Sequence, residues 1–112
     1  MFSFGYQPEE PPLDDLAERW RGGAVLLIDV REAVEHAAER IPSSVLEPLS
    51  RFDPQRVLRL AAESGLEPVL YCRSGNRTIT AARQLKAAGA ENVRHLRGGI
   101  LAWKAAGHPT ES

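Results

Sequence analysis

Val25-Leu26-Leu27-Ile28 is an unbroken apolar run, and it constrains the fold of this chain more than any other stretch. A strand with one wet face alternates apolar and polar residues, whereas a run apolar at every position fits a strand covered on both sides. Val69-Leu70-Tyr71 is a second such run. Helical segments lie around them. Pro11-Pro12 opens the first, with Asp14 and Asp15 in its first turn, Leu13, Leu16, Ala17 and Trp20 on one face, and Gly22-Gly23 at its end. A short helix is predicted over Glu32–Ala38, stopped before Pro42, followed by a short strand at Ser44–Leu46. Asp53-Pro54 pairs an N-capping carboxylate with a proline suited to the first helical position. Val57, Leu58, Leu60 and Ala61 give that helix its buried side, and Gly65 its stop. A further helix is expected over Asn76–Ala88, a last strand over Asn92–Leu96, and a final helix over Ile100–Ala106 after Gly98-Gly99. Strands alternating with helices predict an α/β fold with a mainly parallel central sheet and helices on both faces.

In open sheets of that kind ligands bind beyond the C-terminal ends of the strands. Asp29 falls there after the first run, and Gly98-Gly99 should reach the same rim. So does Cys72, the single cysteine of the chain, which opens the polar loop Cys72-Arg73-Ser74-Gly75-Asn76-Arg77 ahead of an Ala-rich helix. Backbone N–H groups of such a loop and of the helix's first turn converge on one spot, and the helix dipole adds partial positive charge. That environment favours the thiolate, the nucleophilic form of cysteine. Cys72 is therefore the candidate catalytic residue, and Arg73, Ser74, Gly75, Asn76 and Arg77 form the candidate substrate-binding loop. Arg73, next to the nucleophile, suits an oxyanion. Arg77 ends the loop and is placed to brace it through a carboxylate, and Ser74 is placed to offer a hydrogen bond to sulfur.

Composition excludes several classes. Of 112 residues, 43% are apolar and 26% charged, ordinary values for one globular domain, read as residues 1–112 with a loosely held arm at 1–10 and an edge strand at Phe2–Tyr6. No apolar run approaches the roughly 20 residues that span a membrane, and Met1 to Tyr6 lack a basic start followed by an apolar core, so no secretory signal is expected. With one cysteine no internal disulfide can form, as expected of a cytoplasmic protein. Net charge is −1, but the sign changes along the chain: residues 1–71 carry 7 Lys/Arg and 13 Asp/Glu, while residues 72–104 carry 7 Lys/Arg and one acid, Glu91. The basic part begins at Cys72, where it can draw anions toward the thiol. No basic run interleaved with aromatic residues occurs, so no nucleic-acid partner is expected. His36, His95 and His108 match no metal-ligand spacing, and no spacing pairs one of them with Cys72; each reads as a surface or packing residue. Trp20 and Trp103 read as core.

Four segments, in order, carry a family resemblance: Leu27-Ile28-Asp29-Val30-Arg31-Glu32, Ile41-Pro42, Cys72-Arg73-Ser74-Gly75-Asn76-Arg77, and Leu96-Arg97-Gly98-Gly99-Ile100-Leu101-Ala102-Trp103. Together they resemble the ordered motifs of single-domain rhodaneses, the thiosulfate sulfurtransferases, over about residues 13–109. The resemblance implies a rhodanese-like fold, a Cys72 that carries sulfur as a persulfide, and structural roles for Asp29 and Arg31. One segment departs from the pattern. The family often reads Gly-His-Ile-Pro-Gly-Ala where this chain has Glu39-Arg40-Ile41-Pro42-Ser43-Ser44, and loss of both glycines predicts a different backbone path there.

The reaction so implied has two steps. The Cys72 thiolate takes the outer sulfur of a small anionic donor such as thiosulfate, and a thiol or cyanide then removes it. Neither step calls for a metal or an organic cofactor. A sulfur-accepting protein is an alternative partner, and a sulfur-relay or interaction module an alternative role. A cysteine-dependent phosphatase or arsenate reductase is a further rival, but those usually place five residues between cysteine and arginine, and here four separate Cys72 from Arg77.

Overall fold

The structure, a computed structural model, describes residues 5–112. Four strands, β1 (Val25–Asp29), β2 (Val45–Leu46), β3 (Glu67–Tyr71) and β4 (Arg94–His95), form one sheet in the order β2-β1-β3-β4, with every pair parallel. Val25 to Asp29 pair in register with Glu67 to Tyr71, so β1 and β3 are the central strands. Five α-helices, α1 (Leu13–Arg21), α2 (Ala33–Ala38), α3 (Pro54–Ser64), α4 (Arg77–Ala87) and α5 (Gly99–Ala105), precede, connect or follow the strands.

Strand geometry divides the apolar runs between two cores, because successive side chains point to opposite faces. Val25, Leu27, Val69 and Tyr71 pack with Leu16 and Ala17 of α1 and with Ile100 and Trp103 of α5. Ile28, Leu70 and Cys72 face the other way, onto Val57 of α3 and Ala81, Ala82 and Leu85 of α4. Helices thus cover both faces, as the unbroken runs predict. Trp103 is fully buried, with Trp20 edge-on to it at 5.2 Å between ring centres. Asp53 caps α3 as expected, accepting the N–H groups of Gln55 (3.1 Å) and Arg56 (3.2 Å).

Three expectations change. The last strand is shorter than Asn92–Leu96, since only Arg94 and His95 pair with β3. The arm expected to be loosely held is docked along its described part. Glu9 bridges Arg94 in parallel, its N–H donating to the Val93 carbonyl (2.8 Å) and its carbonyl accepting the His95 N–H (2.9 Å). Most of the edge strand expected at Phe2–Tyr6 lies outside the described residues. The departure at 39–44 does not remove the left-handed step: Ser43 itself takes φ of +66°, a conformation uncommon outside glycine. The neighbouring Tyr71 hydroxyl holds the turn, accepting the Ile41 N–H (3.2 Å) and sharing a 2.9 Å hydrogen bond with Ser44 Oγ. Burial, then the nearby Asp29 charge, pushes the Tyr71 hydroxyl up to about 12, so it stays protonated for this task.

Candidate active site

β3 ends at Tyr71, and Cys72 continues its alternation toward α4. The side chain therefore points beneath the loop that follows and is 1% exposed. Gly75 makes this geometry possible. It sits at φ +104°, a backbone conformation that side-chain-bearing residues avoid, and its N–H donates to Cys72 Sγ at 3.1 Å. Asn76 precedes α4 without capping it by a side-chain hydrogen bond. In the first turn of α4 the Ile79 N–H is taken by the Asn76 carbonyl (3.2 Å), and the N–H groups ahead of it adjoin the loop.

The loop is pinned from outside by α5. Ile100 N–H donates to the Cys72 carbonyl (2.9 Å) and Leu101 N–H to the Arg73 carbonyl (3.2 Å). Such contact needs glycine at the start of the helix: a Cβ on Gly99 would collide with both carbonyl oxygens. Gly98-Gly99 reaches the cysteine rim, as expected.

Among the candidate substrate-binding residues, Arg73, Ser74 and Asn76 are exposed and Gly75 is buried. Arg73 has no anionic partner among the described residues, and neither does Arg97 nearby on the segment after β4. Arg77 differs from them. Its guanidinium meets the Glu35 carboxylate through two bonds, 2.7 and 2.9 Å. Glu35 also accepts the Glu32 N–H (3.0 Å), closing a reciprocal cap on α2. The Arg77 hydrogen bonds hold the Glu35 carboxyl down to about 2. Glu35 in turn, and more weakly the Cys72 sulfur, keep Arg77 firmly protonated. A cation is thus fixed within electrostatic reach of the thiol.

Asp29 is fully buried and accepts from Arg31 N (3.0 Å), Nε (2.9 Å) and Nη2 (2.8 Å), with His36 Nδ1 at 2.8 Å. Arg31 also donates to the Glu39 carbonyl (2.6 Å). This network ties the loop after β1 to the end of α2, and its hydrogen bonds run there and not to the cysteine sulfur. His108 packs against Trp103, tilted by 45° at 4.8 Å between ring centres, and bonds Arg21 and Asp14.

Two groups escape the sequence reading. The hydroxyl that approaches sulfur belongs to Thr78, one residue past the loop, and not to Ser74: Thr78 Oγ1 lies 4.0 Å from Cys72 Sγ. Thr78 Oγ1 is also 2.5 Å from His95 Nδ1, and His95 Nε2 is 2.8 Å from Glu10 Oε2. His95 is buried, not a surface residue. A threonine following a cysteine loop is the only signal the sequence offers, and nothing in its spacing points to residues 10 and 95. A groove of about 580 Å³ opens beside the loop, lined by Gln7 and Glu10 of the arm, Ser74, Asn76, His95 and Arg97.

The family model of the rhodanese-like domain matches residues 12–106. A protein of Synechocystis, itself uncharacterized, is 48% identical over 87 residues, 78% of this chain and 47% of its own length. The chain thus spans about half of that relative. A sulfurtransferase of Allochromatium vinosum is 38% identical over 85 residues, 76% of this chain and 77% of its own. Among solved structures, the rhodanese-like domain of the Anabaena protein Alr3790 superposes with a TM-score of 0.72 at 30% identity, covering 96% of this chain and 80% of that one. The matched span runs from the start of α1 to the end of α5 and takes in every strand and the whole cysteine loop: the chain belongs to the rhodanese-like domain family.

Proposed function

We propose that this protein is a sulfurtransferase that carries sulfane sulfur on Cys72. The observation that supports the reading most is the position of the sulfur atom: at the floor of a four-residue loop, receiving the Gly75 N–H at 3.1 Å, beside the fixed cation of Arg77. In the first step Cys72 thiolate attacks the outer sulfur of thiosulfate. The donor's S–S bond breaks, sulfite leaves with the bonding pair, and Cys72 persulfide remains. In the second, a thiolate or cyanide attacks the outer persulfide sulfur, and Cys72 leaves as thiolate. Loop N–H groups stabilise the anionic sulfur in both steps with dipoles already in place. Arg73, exposed and unpaired among the described residues, recognises the donor's oxygens; Ser74 and Asn76 border its path. Arg77 supplies field and rigidity, because its hydrogen bonds are committed to Glu35. That commitment also argues against phosphoryl transfer, in which the loop arginine grips the oxyanion.

A protein acceptor is the second reading, and one observation favours it. Val34, 78% exposed, adjoins the Glu35 that grips the loop, and Leu101, 42% exposed, donates its N–H to the loop itself. Both side chains stand open to solvent on segments that hydrogen-bond the cysteine loop, where a protein acceptor would meet them. A free thiol that must stay reduced suits the cytoplasm.

Mass spectrometry of the protein mixed with thiosulfate tests the proposal. One added sulfur, discharged by cyanide and absent in Cys72→Ser, is expected. Turnover retained in Cys72→Ser, or Cys72-dependent hydrolysis of an aryl phosphate faster than sulfur transfer, overturns it.

A further inference from the structure

Cys72, Thr78, His95 and Glu10 form a continuous polar line from the floor of the loop to the arm. Thr78 is fully buried and His95 3% exposed, while the Glu10 end opens on the groove. The direction of the line is set by its far end. A carboxylate only accepts, so Glu10 Oε2, 2.8 Å from His95 Nε2, requires a proton on that nitrogen. The neutral ring then presents the lone pair of Nδ1 to Thr78, 2.5 Å away, and the Thr78 hydroxyl donates to it. The Gly75 carbonyl, 3.1 Å from Thr78 Oγ1, is a second acceptor for the same hydroxyl proton, and Nδ1 is the nearer of the two. The lone pairs of Thr78 Oγ1 are left for Cys72 Sγ at 4.0 Å, which has a proton to give.

We infer that Thr78, His95 and Glu10 are a proton relay that ionises Cys72. The S–H bond breaks as an O–H bond forms on Thr78. The former Thr78 proton passes to His95 Nδ1, and the charges created are a thiolate and an imidazolium. Glu10, accepting from Nε2, steadies the imidazolium as the carboxylate of a catalytic triad does. The 4.0 Å span is long, but hydrogen bonds used in catalysis are often long before substrate is bound. The same path returns the proton when a neutral thiol is regenerated. The charged groups around the relay are Glu10 on the arm, Arg97 lining the same groove, and Arg77 on α4, in whose field Cys72 lies. The inference deepens the sulfurtransferase reading, since it supplies the nucleophile that reading requires. Thr78 and His95 act through Cys72 and are positioning residues.

The test measures alkylation of Cys72 by iodoacetamide in the full chain, stripped of persulfide with cyanide, at pH 7 and pH 10. Thr78→Val and His95→Gln should each slow alkylation about tenfold at pH 7. Thr78→Ser, which keeps the hydroxyl, should stay within about twofold, and Glu10→Gln should fall between. At pH 10 hydroxide removes the proton unaided, and all variants should approach the parent rate. Unchanged rates at pH 7 overturn the relay. So does a loss of equal size at both pH values, which would mark a purely structural role. Should Thr78→Val fail to fold, the His95→Gln and Thr78→Ser pair decides the same question. Sulfur donors play no part in this assay: a parent protein that takes sulfur from no donor ends the sulfurtransferase reading and leaves the relay standing.

Discussion

Replacing Glu35 with Gln removes the charge that Arg77 grips while keeping the side chain's shape and one acceptor oxygen. The size of the effect follows from the carboxyl's displacement from 4.5 to about 2, caused first by its hydrogen bonds to Arg77. At about 1.4 kcal/mol per unit, that displacement sets a ceiling of about 3 kcal/mol at neutral pH. Solvent lowers it. Glu35 is 29% exposed and Arg77 33%, so screening reduces the working figure to about 1–2 kcal/mol. The sign is fixed by the direction of the shift. A carboxyl depressed in the folded state stabilises the fold above 4.5 and loses that contribution as pH falls from 4.5 toward 2. Urea unfolding of parent and Glu35→Gln at pH 7 and pH 3 reads both quantities. The expected gap is about 1–2 kcal/mol at pH 7, with most of it gone at pH 3. A gap of the same size at both pH values would mean that shape or helix capping, and not charge, is what Glu35 contributes. No gap at pH 7 would mean that the ion pair is fully offset by solvation.

Two further substitutions probe the loop from other sides. Gly99→Ala drives a methyl group into the Cys72 and Arg73 carbonyl oxygens and forces a left-handed φ of +64° on alanine; a loss of about 3 kcal/mol, read as a Tm lower by about 10 °C or more, is expected, and a drop under about 3 °C would show that α5 can slide to make room. Arg73→Ala should raise KM for thiosulfate about tenfold while leaving loading from an uncharged persulfide donor nearly unchanged, the signature of a lost charge-assisted contact; equal losses with both donors would give Arg73 a structural task instead.

Sequence carried the central elements of this fold because their signals are local. The apolar runs of β1 and β3, the Asp53-Pro54 cap and the glycines flanking α5 each state a backbone preference within a few residues. The cysteine loop was legible for the same reason, with its glycine at the position that needs a positive φ. β4 was harder to read, since it is two residues long and owes its place to pairing with β3 and Glu9, not to its own composition. Ser43 hid its left-handed turn, because the hydroxyl of Tyr71, remote in the chain, is what holds it. The line from Cys72 to Glu10 was least visible of all. Its members sit on a loop, a helix, a strand and the arm, and only folding brings His95 to Thr78 and Glu10 to His95.

The docking of Glu9 has a consequence for solubility. A short outer strand such as β4 leaves an open row of N–H and C=O groups, and such an edge is a template for adding a strand from another molecule. In this chain Glu9 occupies that row, taking up the Val93 carbonyl and the His95 N–H. Beside it stands a negative charge paired with Arg94. The family's matched span begins at residue 12, beyond this cover. A chain trimmed to that span would expose the β4 edge to its neighbours, and the segment that looks dispensable by pattern is the one that covers this edge.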